Sequence, residues 1–245
     1  MISSVAGKLS RVNKLMSVKP TKNRFSGEIG DVVIGRITEL GSKRWKVDLH
    51  ATNDGILLLS SVNLPGGIQR RKSESDEAAM KSFFDVGDLV SAEIQAFFAD
   101  GAPSIHTRNF KYGKLRNGCL IMVPCSLIKR SKSHFLSLPI GVDVILGLNG
   151  YIWISKHVAI TQEIIDDPNA LYSDQNEDID KEMREKIARI YVCIDSLAQN
   201  SVMIDEAIIN FAFDASLDYK LVELGRDEIR KAIASQAQME ASNLA

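Results

Sequence analysis

Residues 144–154 read VILGLNGYIWI, and Gly147-Leu148-Asn149-Gly150 at their centre is a GxxG. In one class of RNA-binding module a GxxG loop between two helices clamps a nucleic-acid backbone. Here Val142, Val144 and Leu146 alternate before the motif, and Tyr151-Ile152-Trp153-Ile154 follow it. Both flanks read as strands. Asn149-Gly150 between β-runs is a strong hairpin signal, because a type I′ turn needs positive φ at both central residues. The local pattern therefore predicts a structural turn at Gly147, Asn149 and Gly150 rather than a phosphate clamp. It places Trp153 in a core rather than against a base.

Upstream, DVVIGRIT (31–38), RWKVDLH (44–50) and GILLLS (55–60) are strand-like, with Trp45, Val47 and Leu49 on one face. A helical patch, SESDEAAMKSFF (73–84), has Ser73 as a plausible N-cap, Asp76 three residues on, and Gly87 just past its end. DLVSAEIQAFF (88–98) and SIHTRN (104–109) then make a hairpin. Five short strands with a small helix between the third and fourth is the pattern of an OB-type barrel, over 30–110. Residues 1–29 hold two short strand-like pieces, SSVAGKL and KLMSVKP, separated by SRVN. Two strands alone are marginal in water, so this reads as a partial β segment.

Downstream, KYGKLRNG (111–118) reads as a basic linker, CLIMVP (119–124) as a strand and SLIKRSKSHF (126–135) as a basic loop or short helical turn. Residues 157–178 look like an acidic linker. From 179 the period turns helical: Met183, Ile187, Ile190, Tyr191, Ile194 and Leu197 form one stripe. Further helices are predicted near 203–213, with Ile204, Ile208 and Phe211 on one face, and near 226–242, with Ile229 and Ile233 inward. Strands followed by helices over 111–245 make an α+β unit.

The 245 residues are 45% hydrophobic and 25% charged, ordinary for a globular chain. No apolar run reaches the roughly 18 residues of a membrane span, and the segment after Met1 lacks the features of a secretory signal. Cys119, Cys125 and Cys193 form no CxxC, which fits a reduced compartment. The net charge of −1 hides an asymmetry. Residues 1–156 hold 22 Lys/Arg against 13 Asp/Glu, whereas residues 157–245 hold 8 against 18. A basic front suits a polyanion.

Phosphate contacts need Lys or Arg on exposed loops, and single-stranded RNA adds aromatic stacking. Four clusters qualify: Lys43-Arg44-Trp45-Lys46, where Trp45 reads as core; Arg70-Arg71-Lys72; His106-Thr107-Arg108 with Lys111, Tyr112 and Lys114; and Lys129, Arg130, Lys132 and His134. Tyr112 lacks apolar partners in the pattern and is the expected stacker. Catalysis finds no support. The four histidines (His50, His106, His134, His157) show no HExxH pairing, and neither GxSxG nor Walker A is present. Asp166-Asp167 and Glu177-Asp178 with Asp180 read as a solvated linker, so no metal or cofactor is expected.

Several stretches carry a family resemblance: SSVAGKLSRVNKL, GEIGDVVIGRITE, KRWKVDL, LLLSSVNLPGGIQRR, HTRNFKYGKL and, above all, Gly147-x-Asn149-Gly150-Tyr151-Ile152-Trp153-Ile154. With them the chain resembles the RNA exosome cap subunits of the ribosomal RNA-processing protein 4 family, from about residue 3 to 155 and more weakly beyond. The resemblance implies an N-terminal β domain, here short because Met1 directly precedes the matching segment. It further implies an OB-fold RNA-binding domain of the ribosomal-protein-S-one type and a KH-type domain, with the GxNG as a structural turn between domains. Its implied role is non-catalytic: binding single-stranded RNA on a ring of RNase-PH-like subunits beside other cap subunits, in nucleus, nucleolus and cytoplasm. A free-standing OB/KH RNA-binding factor in ribosome assembly or translation is the alternative.

Overall fold

Strands β1 (Gly7–Val12) and β2 (Leu15–Pro20) pair only with each other, in an antiparallel hairpin. Its turn is the two residues Asn13-Lys14, with φ +56° at Asn13, rather than the longer SRVN break expected. Leu9, Val12, Leu15 and Met16 remain exposed on it. The structure is a computed structural model, and it describes residues 6–20, 23–62, 74–158, 172–173 and 175–243.

The barrel is built from β3 (Val32–Gly41), β4 (Arg44–Asp48), β5 (Gly55–Val62), β6 (Leu89–Phe97) and β7 (Pro103–Thr107). β3 pairs with β4, β4 with β5, β5 with β7, β7 with β6, and β6 returns to β3. All pairs are antiparallel except β5–β7. That closes the five-stranded ring expected from the sequence. Alternation does the local work: in β4, Arg44 and Lys46 face out while Trp45 and Val47 are buried. The helical patch splits into two short pieces, α1 (Glu74–Ala78) and α2 (Met80–Phe83). The expected cap Ser73 lies outside the described residues. Met80, Phe83 and Phe84 plug the barrel. The Trp45 indole N–H donates to the Phe84 carbonyl at 2.9 Å, and the two rings meet edge to face at 5.5 Å. Truncating so buried a tryptophan typically costs about 3–5 kcal/mol.

The stretch taken for a basic linker contains β8 (Gly113–Lys114), which adds to the barrel along β6. A second sheet follows: β9 (Gly118–Met122), β10 (Phe135–Leu138), β11 (Val142–Leu146) and β12 (Tyr151–Lys156), in the order β10-β11-β12-β9, all antiparallel. β10 was hidden in the sequence, because Ser-Lys-Ser-His before it hides a four-residue strand. Helices α3 (Lys181–Gln199), α4 (Glu206–Ser216) and α5 (Asp227–Asn243) complete the α+β unit, with α3 laid on the sheet. Ile187, Ile190, Ile194 and Leu197 of α3 are buried as predicted, with Cys193 among them. Tyr191 is exposed, one position off the stripe. In α4 the buried residues are Ile209, Ala212, Ala215 and Ser216; Ile208 and Phe211 only flank the core, and Ile204 bridges to Ile128 before the helix starts. Asp205 caps α4 by accepting from the Ile208 N–H.

Most of the acidic linker, Asp166-Asp167 included, lies outside the described residues. Tyr172, within it, packs against Phe83 and Phe84 at 5.2 and 5.4 Å. Asn117 is hydrogen-bonded to Asn176 and Glu177. One apolar core runs continuously through barrel, second sheet and helices.

Candidate nucleic-acid interface

The GxNG loop fixes how the barrel and the second sheet sit together. β11 and β12 flank it in register, Leu146 opposite Ile152. Gly147 N–H donates to the Tyr151 carbonyl and Gly150 N–H to the Gly147 carbonyl, both at 2.9 Å. Only Gly150 has positive φ, +94°. The turn is therefore a three-residue loop closed by a left-handed glycine, not the two-residue type I′ turn expected. A Cβ on Gly150 would stand 2.3 Å from the Val123 carbonyl.

β4 covers β3 only from Arg36 onward, so the outer edge of Val32–Ile34 would be bare. The loop takes that place. Leu148 N–H donates to the Val32 carbonyl at 2.9 Å. The Asn149 side-chain oxygen accepts from Ile34 N–H at 3.3 Å, and its NH2 donates to the carbonyls of Ile34 at 2.7 Å and Leu49 at 2.9 Å. Asn149 is 1% exposed. An amide presents donor and acceptor side by side, as a strand's backbone does, so Asn149 pairs an exposed edge that a carboxylate or hydrocarbon could not. Nearby Arg130 grips Asp31 through two hydrogen bonds, 2.7 and 3.1 Å, and reaches Glu28 at 3.2 Å. Asp31 is 3% exposed and the Arg130 side chain 55%, so this is a bidentate pair in which a solvent-facing guanidinium covers a buried carboxylate. Two clasps thus hold one basic surface across the junction.

The basic clusters divide on that surface. At the first, Lys43 pairs with Glu77 at 3.5 Å and Lys46 with Asp54 at 3.2 Å, both on the outside. Arg44 lines an open cleft of about 580 Å³ with Lys46, Asn53 and Asp100 and has no ion-pair partner among the described residues. Trp45 is core, as expected. Arg70, Arg71 and Lys72 lie outside the described residues. In the third cluster Arg108 and Lys111 are exposed, but Lys114 is turned inward. Its ammonium sits 2.6 Å from Asp88 with 6% of the side chain exposed, which removes it from any surface an RNA could reach.

Tyr112 is not the free stacker that the sequence reading expected. Its hydroxyl donates to Glu93 at 2.6 Å, and its half-buried ring lies edge-on to Phe135 at 5.4 Å. Burial and the Glu93 carboxylate push that phenol's pKa far up. In the fourth cluster Lys129 pairs with Asp205 at 2.9 Å, Arg130 is the clasp already described, and Lys132 is exposed. His134 is buried, and burial lowers its pKa. The fold brings the third and fourth clusters together: Lys111 and Tyr112 from the barrel side share a cleft with Lys132 and His134. Asp31 and Glu93, which set the electrostatics there, were missed from the sequence. Only the Gly30-Asp31 step before β3 hinted at the first.

Among the described residues no group of three or more His, Cys, Asp or Glu is placed to hold a metal, and no helix is long and apolar enough to cross a membrane. The three cysteines are unpaired; burial lifts the thiols of Cys119 and Cys193 to about 11.

A family model described as RRP4, S1 domain matches residues 24–96, and one described as KH domain matches residues 118–160. The chain is 50% identical over 222 residues to exosome complex component rrp4 of Schizosaccharomyces pombe, covering 88% of this chain and 68% of that protein. It is 47% identical over 238 residues to exosome complex component RRP4 of Bos taurus, covering 97% and 80%, and 43% identical over 265 residues to that of Saccharomyces cerevisiae, covering 95% and 74%.

The chain belongs to the exosome complex component RRP4 family.

Within the RRP4 frame the barrel is the S1 domain, an OB-fold, and the sheet β9–β12 opens the KH domain. The GxNG turn is where the two meet. The S1 match ends before β7 and β8, and the KH match before α3 to α5, so the barrel's closure and the helical layer come from the structure alone.

Proposed function

We propose that this chain is a non-catalytic, RNA-binding cap subunit of the RNA exosome. It guides single-stranded RNA toward 3′-to-5′ exoribonucleolytic processing and decay, in rRNA processing, RNA surveillance and mRNA turnover, and braces a ring of RNase-PH-like subunits beside other cap subunits. We place this work in nucleus, nucleolus and cytoplasm. The observation that carries the reading is the near full-length similarity to exosome RRP4 components, joined to S1 and KH domains locked into one body by Asn149 and by the Arg130–Asp31 pair. Rigidity matters for a guide. Two RNA-binding modules held in fixed register offer one track, whereas flexibly tethered modules would first have to be ordered on the strand.

On this reading the chemistry is electrostatic. Arg44, Lys111 and Lys132 are exposed cations offered to phosphates, while Lys43, Lys46 and Lys129 are offset by carboxylates. The test is fluorescence anisotropy with a single-stranded RNA over a salt series, for this chain alone and mixed with exosome ring subunits. Salt-sensitive binding that tightens in the mixture is expected, because the ring adds a second grip on the same strand. RNA binding that is absent in both settings would overturn the proposal, and tight binding alone with no effect of the ring would favour the free-standing factor.

A further inference from the structure

The cleft between the S1 and KH domains holds about 370 Å³ and is walled by Lys111 and Tyr112 on one side and by Ser131, Lys132, Ser133 and His134 on the other. Each of its carboxylates has a partner, though Glu93, bonded to a neutral hydroxyl, keeps its charge. Asp31 is held by Arg130, and Glu93 accepts from Tyr112 with His106 4.0 Å away. Among the described residues, neither the Lys111 nor the Lys132 ammonium has a carboxylate partner. Two lysines without an ion-pair partner therefore face one cleft, against the single remaining charge of Glu93.

A second observation falls on one wall of this cleft and beside it. Among the described residues, two buried side-chain polar atoms lack a hydrogen-bond partner, Thr107 Oγ1 and His134 Nδ1. His134 lines this cleft, and Thr107 lines a smaller one that shares Lys111 and Tyr112 with it. His134 Nε2 lies 3.5 Å from the Ser131 N–H, at the outer limit of a hydrogen bond. Buried polar atoms without partners are rare, and where they occur a missing partner is the first explanation.

We propose that the S1–KH cleft is a phosphodiester-binding site in which Lys111 and Lys132, one from each domain, hold consecutive backbone phosphates of single-stranded RNA. His134 lines the same wall, and Thr107 lies in the smaller cleft beside it. The cleft carries backbone chemistry and no base-reading set, so it grips RNA without sequence preference. This inference rests on the RNA-guiding role proposed above and says where part of the strand runs.

The test compares the whole chain with a Lys111→Ala/Lys132→Ala variant, using a 5′-labelled oligo(A) RNA over a salt series. A Lys181→Ala/Lys231→Ala variant makes the same charge change on the helical layer. Each phosphate contact adds about 0.7 to the slope of log K against log salt for a single strand. The cleft variant should lose a slope of about 1.4, which at 0.1 M salt is about 25-fold in affinity. The helical-layer variant should match the parent. In parallel, 4-thiouridine RNA should photo-cross-link within residues 107–112 or 131–135. If the parent binds RNA but the cleft variant keeps its slope, or cross-links fall only at residues 43–46, the cleft inference is wrong while the guiding role stands. If the parent binds no RNA, alone or with the ring, both fall.

Discussion

Replacing Asn149 by alanine removes one side chain and leaves three backbone groups without partners: Ile34 N–H and the carbonyls of Ile34 and Leu49. All three lie at a site where Asn149 itself is 1% exposed, so water does not reach them freely. Each buried group left unsatisfied costs about 1–3 kcal/mol. The bond to Ile34 N–H is the longest at 3.3 Å and contributes least. Partial hydration of the space vacated by the amide offsets some of the rest. The expected loss is about 2–5 kcal/mol, a large share of the 5–15 kcal/mol that holds a typical domain. Asn149→Asp should be worse than alanine, because it sets a carboxylate against two carbonyl oxygens where the NH2 now donates. Urea unfolding followed by tryptophan fluorescence measures this. Trp45 reports on the S1 core and Trp153 on the KH sheet. The native chain should unfold in one transition, and Asn149→Ala should lower its midpoint and split it as the domains uncouple. A single transition shifted by less than about 0.5 kcal/mol, the scatter of a neutral surface change, would refute the idea that this amide holds the domains together.

Gly150→Ala puts a Cβ 2.3 Å from the Val123 carbonyl at a φ of +94°, and should cost at least about 2 kcal/mol in the same assay. Arg130→Ala takes the bidentate partner from Asp31, which then keeps, among the described residues, only the Glu28 N–H at 2.8 Å; with the guanidinium 55% exposed, the loss should be about 1.5–3 kcal/mol in the same assay. Burial depresses both His106, with Glu93 opposing and Arg108 reinforcing, and His134, with Asp31 opposing and Arg130 reinforcing. The folded chain thus resists protonation where the unfolded chain, with histidines near 6.5, accepts it. Stability is full above about pH 6.5 and falls with pH below it, by at most about 1.4 kcal/mol per pH unit for each histidine. The urea midpoint between pH 7.5 and 5.5 checks this, and His106→Gln/His134→Gln should flatten the profile.

The strands of the S1 barrel were legible because each has one buried and one exposed face: Trp45, Val47 and Leu49 announce β4 and its direction. The hairpin around the GxNG was legible for the same reason. What the sequence hid were pairings made by position. β8 is two residues long, and its Lys114 looks like any surface lysine until Asp88 is found 2.6 Å away. Tyr112 looked free because Glu93 and Phe135, its partners, are 19 and 23 residues distant. Local periodicity also misjudged helix faces: Tyr191 sits at the edge of the α3 stripe and is exposed, while Cys193 is buried in its place. Function lay partly in the same blind spot. Lysines 129 and 132 are indistinguishable in sequence, yet one is tied to Asp205 and the other faces the S1–KH cleft with no ion-pair partner among the described residues.

Size-exclusion chromatography with light scattering, on this chain mixed with separately assembled exosome ring subunits, tests the proposed role most directly. Incorporation of one copy per ring, with protection of a longer stretch of single-stranded RNA than the ring protects alone, is the predicted result. A folded, RNA-binding chain that elutes apart from the ring at every ratio would contradict it.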